Sequence, residues 1–395
     1  MQRLTAVTES AGIQVTGANS SDARRLNLRS ASFLNGEHLP RSLTIDATGR
    51  VLADATGQIT EFDIEDVVVL PGLINSHDHL EFNLYPQLGR PPYADVDEWS
   101  CDVHRSYSAI ISTIEAIPLG LRWYWGLLKN LSWGVTAVMN HGKPQQNLHS
   151  DLPINLIEPF RFVHRADKRW AWFRARRIRG EGPMVFHIAE GTSDTVVRRS
   201  ASFLRRVRGR GPLVGVHGIQ LAREDSRYLD ALVWCPVSNY FLFERTADIA
   251  ALKDTTKILF GTDATISAQG TIWDQLRTAR AIGHLTDAEL LDSVTTNAAR
   301  VWGLGNTGDM VIARRHHPDS LESFYQTSPA DICAVISQSR LIMMSEAFFE
   351  DIAMDAWRDS YRAVTIGNAN HRLYCPSPAV LERLTSIKDA PVALQ

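Results

Sequence analysis

The sequence predicts an α/β protein: a (β/α)8 TIM barrel with a small composite β-sandwich domain built from both chain ends. Three observations predict it. Between about Pro71 and Leu304, apolar strand-like runs alternate with helical stretches, and about eight such strands can be counted. Four of those runs close on a histidine or an acid, and barrel chemistry collects at strand C-termini. Both chain ends instead carry short β-type runs broken by turns. The expected division is residues 1–70 for the first part of the sandwich, 71–304 for the barrel, and 305–395 for the rest of the sandwich and a tail.

From about Gly12 to Val69 the pattern is strand and turn, with Asn35-Gly36 and Thr48-Gly49 marking tight turns. The segment Val67–Leu80, VVVLPGLINSHDHL, follows. A strand has period two, so His77 and His79 share one face while Asp78 points away. Glu81–Pro118 reads as a long loop, and its aromatic residues Phe82, Tyr85 and Trp99 are candidates to wall a substrate pocket. Leu119–Trp133 is an amphipathic helix ended by Gly134. GVTAVMNHG, INLIEPF and RFVHR read as strands, and Trp170–Arg179 as a basic helix. PMVFHIAEG then runs to His187, with Glu190 three residues on, and PLVGVHG runs to His217. ALVWCPVSNYFLF is a strand with its loop, and KILFGTDAT ends at Asp263. Helices are expected at Val196–Arg208, Ile272–Ala281 and Asp287–Gly303. DMVIARR and DICAVISQSRLIMMS return to β patterning and are expected to pair with the N-terminal sheet; the tail after Pro376 is expected to be loosely ordered.

A lone His-x-His is weak evidence, since most histidine pairs are polar surface. Four strand ends that all carry metal-capable or acid–base groups are far more specific. Composition agrees with a catalytic scaffold. With 395 residues and 44% hydrophobic content the chain can bury a large core. A net charge of −3 gives no reason to expect nucleic acid or a membrane as partner. The four cysteines, Cys101, Cys235, Cys333 and Cys375, have no C-x-x-C spacing, which fits a reducing cytoplasm. The N-terminus lacks a secretory h-region, and no run approaches the ~18 apolar residues of a membrane span. A soluble cytoplasmic protein is the expectation, with a homo-oligomer left open.

The pieces LPGLINSHDHLE, GVTAV, FHIAEG, VHG, CPVSN, FGTD and TTNAARVWGL, in that order over about Asp63 to Leu304, resemble the amidohydrolase superfamily. The nearer likeness is to its mononuclear branch of cytosine, guanine and S-adenosylhomocysteine-type deaminases and triazine chlorohydrolases. That resemblance implies a metal held by His77, His79, His187 and Asp263. It also implies a proton-shuttling role for Glu190 and contact between His217 and the attacking water or substrate. The strand-four lysine of dinuclear members has no convincing counterpart, because Lys168 sits in a polar, poorly strand-like place. One divalent ion is therefore expected: zinc first, with iron or manganese as alternatives. Glu158 is the candidate bridging carboxylate of a dinuclear variant, with a plain structural role preferred.

The leading expectation is a metal-dependent amidohydrolase that hydrolyses a C–N bond of amide, cyclic amide or amidine type at an sp² carbon. Its rival is an aminohydrolase (deaminase) of a nucleobase- or triazine-like ring. Narrower alternatives are a tailoring hydrolase acting on a peptide natural product and a non-catalytic scaffold on the same fold. The substrate is expected to be a small molecule or modified peptide. Residues 161–210, with 14 Lys or Arg against 4 Asp or Glu, would favour an anionic one if they border the mouth. Asn239 is a candidate substrate contact, with a structural role preferred, and Cys235 is not read as a nucleophile.

Overall fold

The computed structural model describes residues 4–6, 22–36, 38–54, 58–142, 154–158, 160–305, 307–366, 369–375 and 382. Eight short strands run through the middle of the chain, six of them almost wholly buried. They are β1 (Leu73–Asp78), β2 (Val135–Asn140), β3 (Asn155–Leu156), β4 (Arg161–Arg165), β5 (Met184–Ile188), β6 (Leu213–His217), β7 (Ala231–Trp234) and β8 (Lys257–Phe260). Every pairing among them is parallel. Apolar side chains on both faces explain the unbroken Val, Leu and Ile runs, since parallel sheets are covered on both sides.

The strands form two ladders, β3-β2-β1 and β4 through β8 in order, so the hydrogen-bonded sheet is not continuous around all eight among the described residues. β8 nevertheless comes against β1. The Asp263 amide donates to the His77 carbonyl at 3.1 Å, and Asn75 exchanges hydrogen bonds with Thr262, whose amide lies 3.1 Å from Asn75 Oδ1. A Cβ on Gly261 would lie 2.6 Å from His77 Cβ, so glycine is what lets the two strand ends close together.

The segment read as a loop from Glu81 to Pro118 contains two helices, α1 (Val96–Ser106) and α2 (Ser108–Glu115). Asp95 caps α1, accepting from the Asp97 and Glu98 amides, and Glu98 accepts in return from the Ala94 amide at 2.7 Å. Helix α3 (Leu119–Ser132) follows as expected. Helices α4 (Ala171–Arg177) and α5 (Asp194–Val207) also lie close to their expected places. The stretch after β7, read as loop, is instead helix α6 (Pro236–Phe243), with Pro236 in its first turn where a missing N–H costs nothing. The single helix expected over 287–303 is two, Asp287–Ser293 and Thr296–Trp302.

An eight-stranded sheet takes strands from both chain ends, among them Val67–Pro71 beside Met310–Arg314, and Tyr361–Ile366 beside Leu4–Ala6. A four-stranded sheet from Asp22–Leu28 to Gln58–Ile64 shares an apolar core with it: Leu26, Leu43 and Ile45 meet Val69, Ile312 and Ile336. Helices at Ser320–Gln326, Glu346–Ile352 and Asp355–Ser360 interrupt the C-terminal segment, which the sequence reading treated as β alone. The tail after Pro376 lies outside the described residues, Glu382 apart.

Candidate metal centre

His77, His79, His187, His217, Glu190 and Asp263 come together at the C-terminal ends of β1, β5, β6 and β8. Strand register sets their level, with Arg165 opposite His187 and Ile188 opposite His217. All but the half-buried His79 are buried. Ligand atoms of His77, His79 and His187 lie within 4.8 Å of one another, and a second overlapping group joins His77 and His217 to Asp263. Three of the site's non-glycine residues, Ala189, His217 and Asp263, have left-handed φ angles of 49°, 73° and 56°. Such strain persists only where surrounding packing enforces it, and it clusters at functional sites.

His77 Nε2 and His187 Nε2 face each other at 3.3 Å. Two nitrogens bound to a tetrahedral Zn(II) at about 2.0–2.1 Å stand roughly 3.3 Å apart, so this spacing fits a shared cation. Asp263 Oδ1 lies 3.6 Å from His77 Nε2. Its carboxylate is held by the Ala264 amide at 2.9 Å and the Ser267 hydroxyl at 2.9 Å. Burial pushes the Asp263 carboxyl up, but the hydrogen bond and charge of His77, aided by His217 and His79, hold it well below the carboxylate range. Burial lowers the His77 imidazole to about 4 and drives His187 well below its ordinary value, so both are neutral, the form a metal needs. These residues therefore fit a divalent cation with nitrogen and oxygen ligands.

Glu190 sits between two histidines, with Oε2 3.8 Å from His187 Nδ1 and Oε1 3.6 Å from His217 Nε2. Burial raises its carboxyl above the usual range, against the pull of His217 and Arg165, and Oε2 has no hydrogen-bond partner among the described residues. His217 Nδ1 is 2.9 Å from Asn239 Oδ1, while the Asn239 amide nitrogen donates to Thr246 at 3.1 Å. That arrangement makes His217 Nδ1 the donor and leaves Nε2 facing Glu190.

Behind the ligands, Asp78 points away as the strand period requires. Lys129 meets Asp78 at 3.0 Å, and both are buried. Asn83 and Asn130 each donate to the same carboxylate at 2.8 Å.

Above the cluster opens a cavity of about 440 Å³. Phe82, Tyr85 and Trp99 line it, with Val103 and Ile111 from α1 and α2. Asn239 does not line it, because its side chain is committed to His217 and Thr246. Of the basic stretch, Arg165 and Lys168 reach the mouth, but both pair with Asp97 at 2.7 Å. Lys168 is half exposed and Glu158 exposed, and neither belongs to a histidine cluster. Two histidines in this region were not singled out from the sequence: His141, directly after β2, and His164 in β4. His141 carried a legible signal, since AVMNHG has the same strand-then-His-Gly form as LVGVHG.

Solved structures share this architecture. An aminofutalosine deaminase from Helicobacter pylori matches over 82% of this chain and 100% of its own, with a TM-score of 0.54 at 13% identity. An adenosine deaminase from Xanthomonas campestris with bound zinc covers 86% of this chain and 98% of its own, with a TM-score of 0.55 at 17% identity. A triazine hydrolase variant gives 0.57 at 17% identity over 81% of this chain and 94% of its own. The chain has their fold. No protein-family model and no curated protein matches the sequence. Among the described residues no helix is long and apolar enough to cross a membrane.

Proposed function

We propose that the chain is a metal-dependent hydrolase of the amidohydrolase superfamily, acting on a C–N bond at an sp² carbon. In this reading β1 to β8 are a (β/α)8 barrel over residues 71–304, and residues 1–70 and 305–395 build a composite sandwich beside it. The observation that carries the reading is the convergence of six acid–base and ligand groups at one end of the parallel strands, with two imidazole nitrogens 3.3 Å apart. The fold shared with zinc-bound and other deaminases supports it.

His77, His79, His187 and Asp263 would hold the ion, with zinc favoured by the ligand set. Zinc held there would lower the pKa of a bound water to about 7. Glu190, buried between His187 and His217, is placed to take a proton from an attacking water and to deliver it to the leaving nitrogen. Burial suits it to this, because raising the carboxyl makes it a better proton acceptor than an exposed carboxylate. His217, with Nδ1 donating to Asn239, keeps Nε2 as an acceptor that can orient the attacking water. Phe82, Tyr85 and Trp99 pack against the body of a small, largely apolar substrate.

The aminohydrolase reading stays beside the amide one, favoured by the deaminases among the fold relatives. Release of ammonia from a panel of nucleobases and triazines selects it; acid plus amine products select amide hydrolysis. The test common to both is metal content. His77→Ala/His79→Ala is expected to lose the bound ion and all turnover, and retention of a full equivalent refutes the ligand assignment.

A further inference from the structure

We propose that the exposed face of α4, beside the cavity mouth, is a docking surface for an acidic peptide segment. Among the described residues Trp170 and Phe173 are the most exposed large apolar side chains, at 55% and 46%. With Arg174 and Arg177 they stand at i, i+3, i+4 and i+7, so all four share one face, while Ala171 and Ala175 are buried. Residues 168–179 hold six Lys or Arg and no acid, in a chain of net charge −3.

Two observations mark this face as kept for a partner. Trp170 has φ 70°, in the left-handed region that glycine or asparagine enters cheaply and a bulky ring does not. Neither its backbone nor its burial calls for tryptophan. The arginines are the second observation: among the described residues Arg169, Arg174, Arg176, Arg177, Arg179 and Arg206 make no salt bridge. Arg169 instead lies over Trp170 and Arg177 over Phe173, both at 5.4 Å, and Arg206 of α5 lies over Trp172 at 4.9 Å. Arg210 donates to the Arg176 carbonyl at 3.1 Å, which draws the chain after α5 alongside the same surface.

The chemistry of the face selects its occupant. A guanidinium over a ring keeps an unspent N–H fork, the geometry that takes a carboxylate on two bonds, and the exposed rings beside it take an apolar side chain. Guanidinium groups already cover these rings, which leaves less face for stacked bases, and α4 exposes no aliphatic side chain to enter a bilayer. The positive charge also lies on one side only. Asp97 and Glu115 line the same cavity, so a long polyanion or an anionic bilayer laid across the mouth would meet carboxylates. A short acidic segment avoids them. Lys168 lines the cavity and Trp170 follows two positions later, so a docked segment would lead into the mouth. The substrate would then be carried on an acidic peptide, a consequence that rests on the hydrolase reading, whereas the docking itself does not.

Fluorescence anisotropy of the full chain with a short fluorescein-labelled peptide of alternating Glu and Phe tests this without an assay of turnover. The peptide is expected to bind, more weakly as salt rises, and a Lys/Phe peptide of equal length is expected not to bind. Arg174→Glu/Arg177→Glu should weaken binding by about tenfold or more, and Trp170→Gly, which suits the left-handed backbone, by about fivefold. Both changes are at exposed positions, and circular dichroism checks that the variants fold. No binding of the Glu/Phe peptide, or equal binding by Arg174→Glu/Arg177→Glu, overturns the proposal. So does tighter binding of an oligothymidine or of phosphatidylserine vesicles than of the peptide. His77→Ala/His79→Ala should bind the peptide as the wild type does, so its metal content judges the hydrolase reading separately. Loss of peptide binding in that variant would place the peptide on the metal centre and overturn the docking surface.

Discussion

Two cavities of about 440 Å³ each lie at opposite ends of the parallel strands, and they differ in how their polar groups are treated. The one at the strand N-termini, lined by Gly72, Thr136, Asn155 and Asp309, has its polar groups tied down. Asp309 accepts from Asn155 at 2.8 Å, Ser337 at 3.1 Å and the Gln338 amide at 2.8 Å, and Asn35 donates to Asp292 at 2.8 Å. At the C-termini, Glu190 Oε2, His77 Nδ1 and both nitrogens of His141 are buried with no partner among the described residues. Volume does not mark a site here; convergent polar groups left without partners do. Natural interiors satisfy such groups almost everywhere, so their clustering at one end points to a ligand.

The sharpest way to break that contrast is to act on one end and look for an effect at the other. Glu190→Gln keeps the shape and the metal ligands but removes the proton carrier. Turnover is expected to fall 10²–10⁴-fold with metal content unchanged, measured by steady-state kinetics beside elemental analysis. A loss of metal in that variant would make Glu190 a ligand rather than a shuttle.

Lys129→Met acts behind the site. It leaves the Asp78 carboxylate buried without its cation, which is expected to cost about 3–5 kcal/mol in denaturant unfolding. A double variant, Lys129→Met with Asp78→Asn, should recover part of that stability, since it removes the uncompensated buried charge and keeps an oxygen that accepts from Asn83 or Asn130. If Lys129→Met alone is neutral, the pair is not the support beneath His77 and His79 that its geometry suggests.

The smallest effect belongs to the other cavity. Asp309→Ala strands the donors of Asn155, Ser337 and Gln338 and is expected to cost about 1–3 kcal/mol of stability. Metal content and turnover should not change. A matching loss of turnover would mean that the two ends are not independent.

How much of this the sequence disclosed depends on the range of the interaction behind each feature. His77, His79, His187, His217 and Asp263 were legible because each closes an apolar run, and strand periodicity alone sets its direction. The two helices inside Glu81–Pro118 were hidden by proline and aromatic content, although Asp95 ahead of Asp97 and Glu98 is an N-cap signal that a local reading could have found. Helix α6 was missed because its apolar run PVSNYFLF lacks helical alternation, although Pro236 suits the first turn of a helix. Lys129 was beyond local reading. It stands in the last turn of an amphipathic helix, where a basic residue is ordinary, and its partner Asp78 is 51 positions away. Asn239 shows the same limit, since nothing in CPVSN indicates that its carbonyl oxygen goes to His217 instead of a substrate.

The central claim is that His77, His79, His187 and Asp263 surround a metal ion. An anomalous difference map from crystals of the purified protein, recorded on either side of the zinc absorption edge and repeated at the iron and manganese edges, tests it most directly. The account predicts a strong peak within bonding distance, about 2.0–2.2 Å, of ligand atoms from those four residues. A map with no peak there at any of the three edges, or with its peak bound by other side chains, would contradict it.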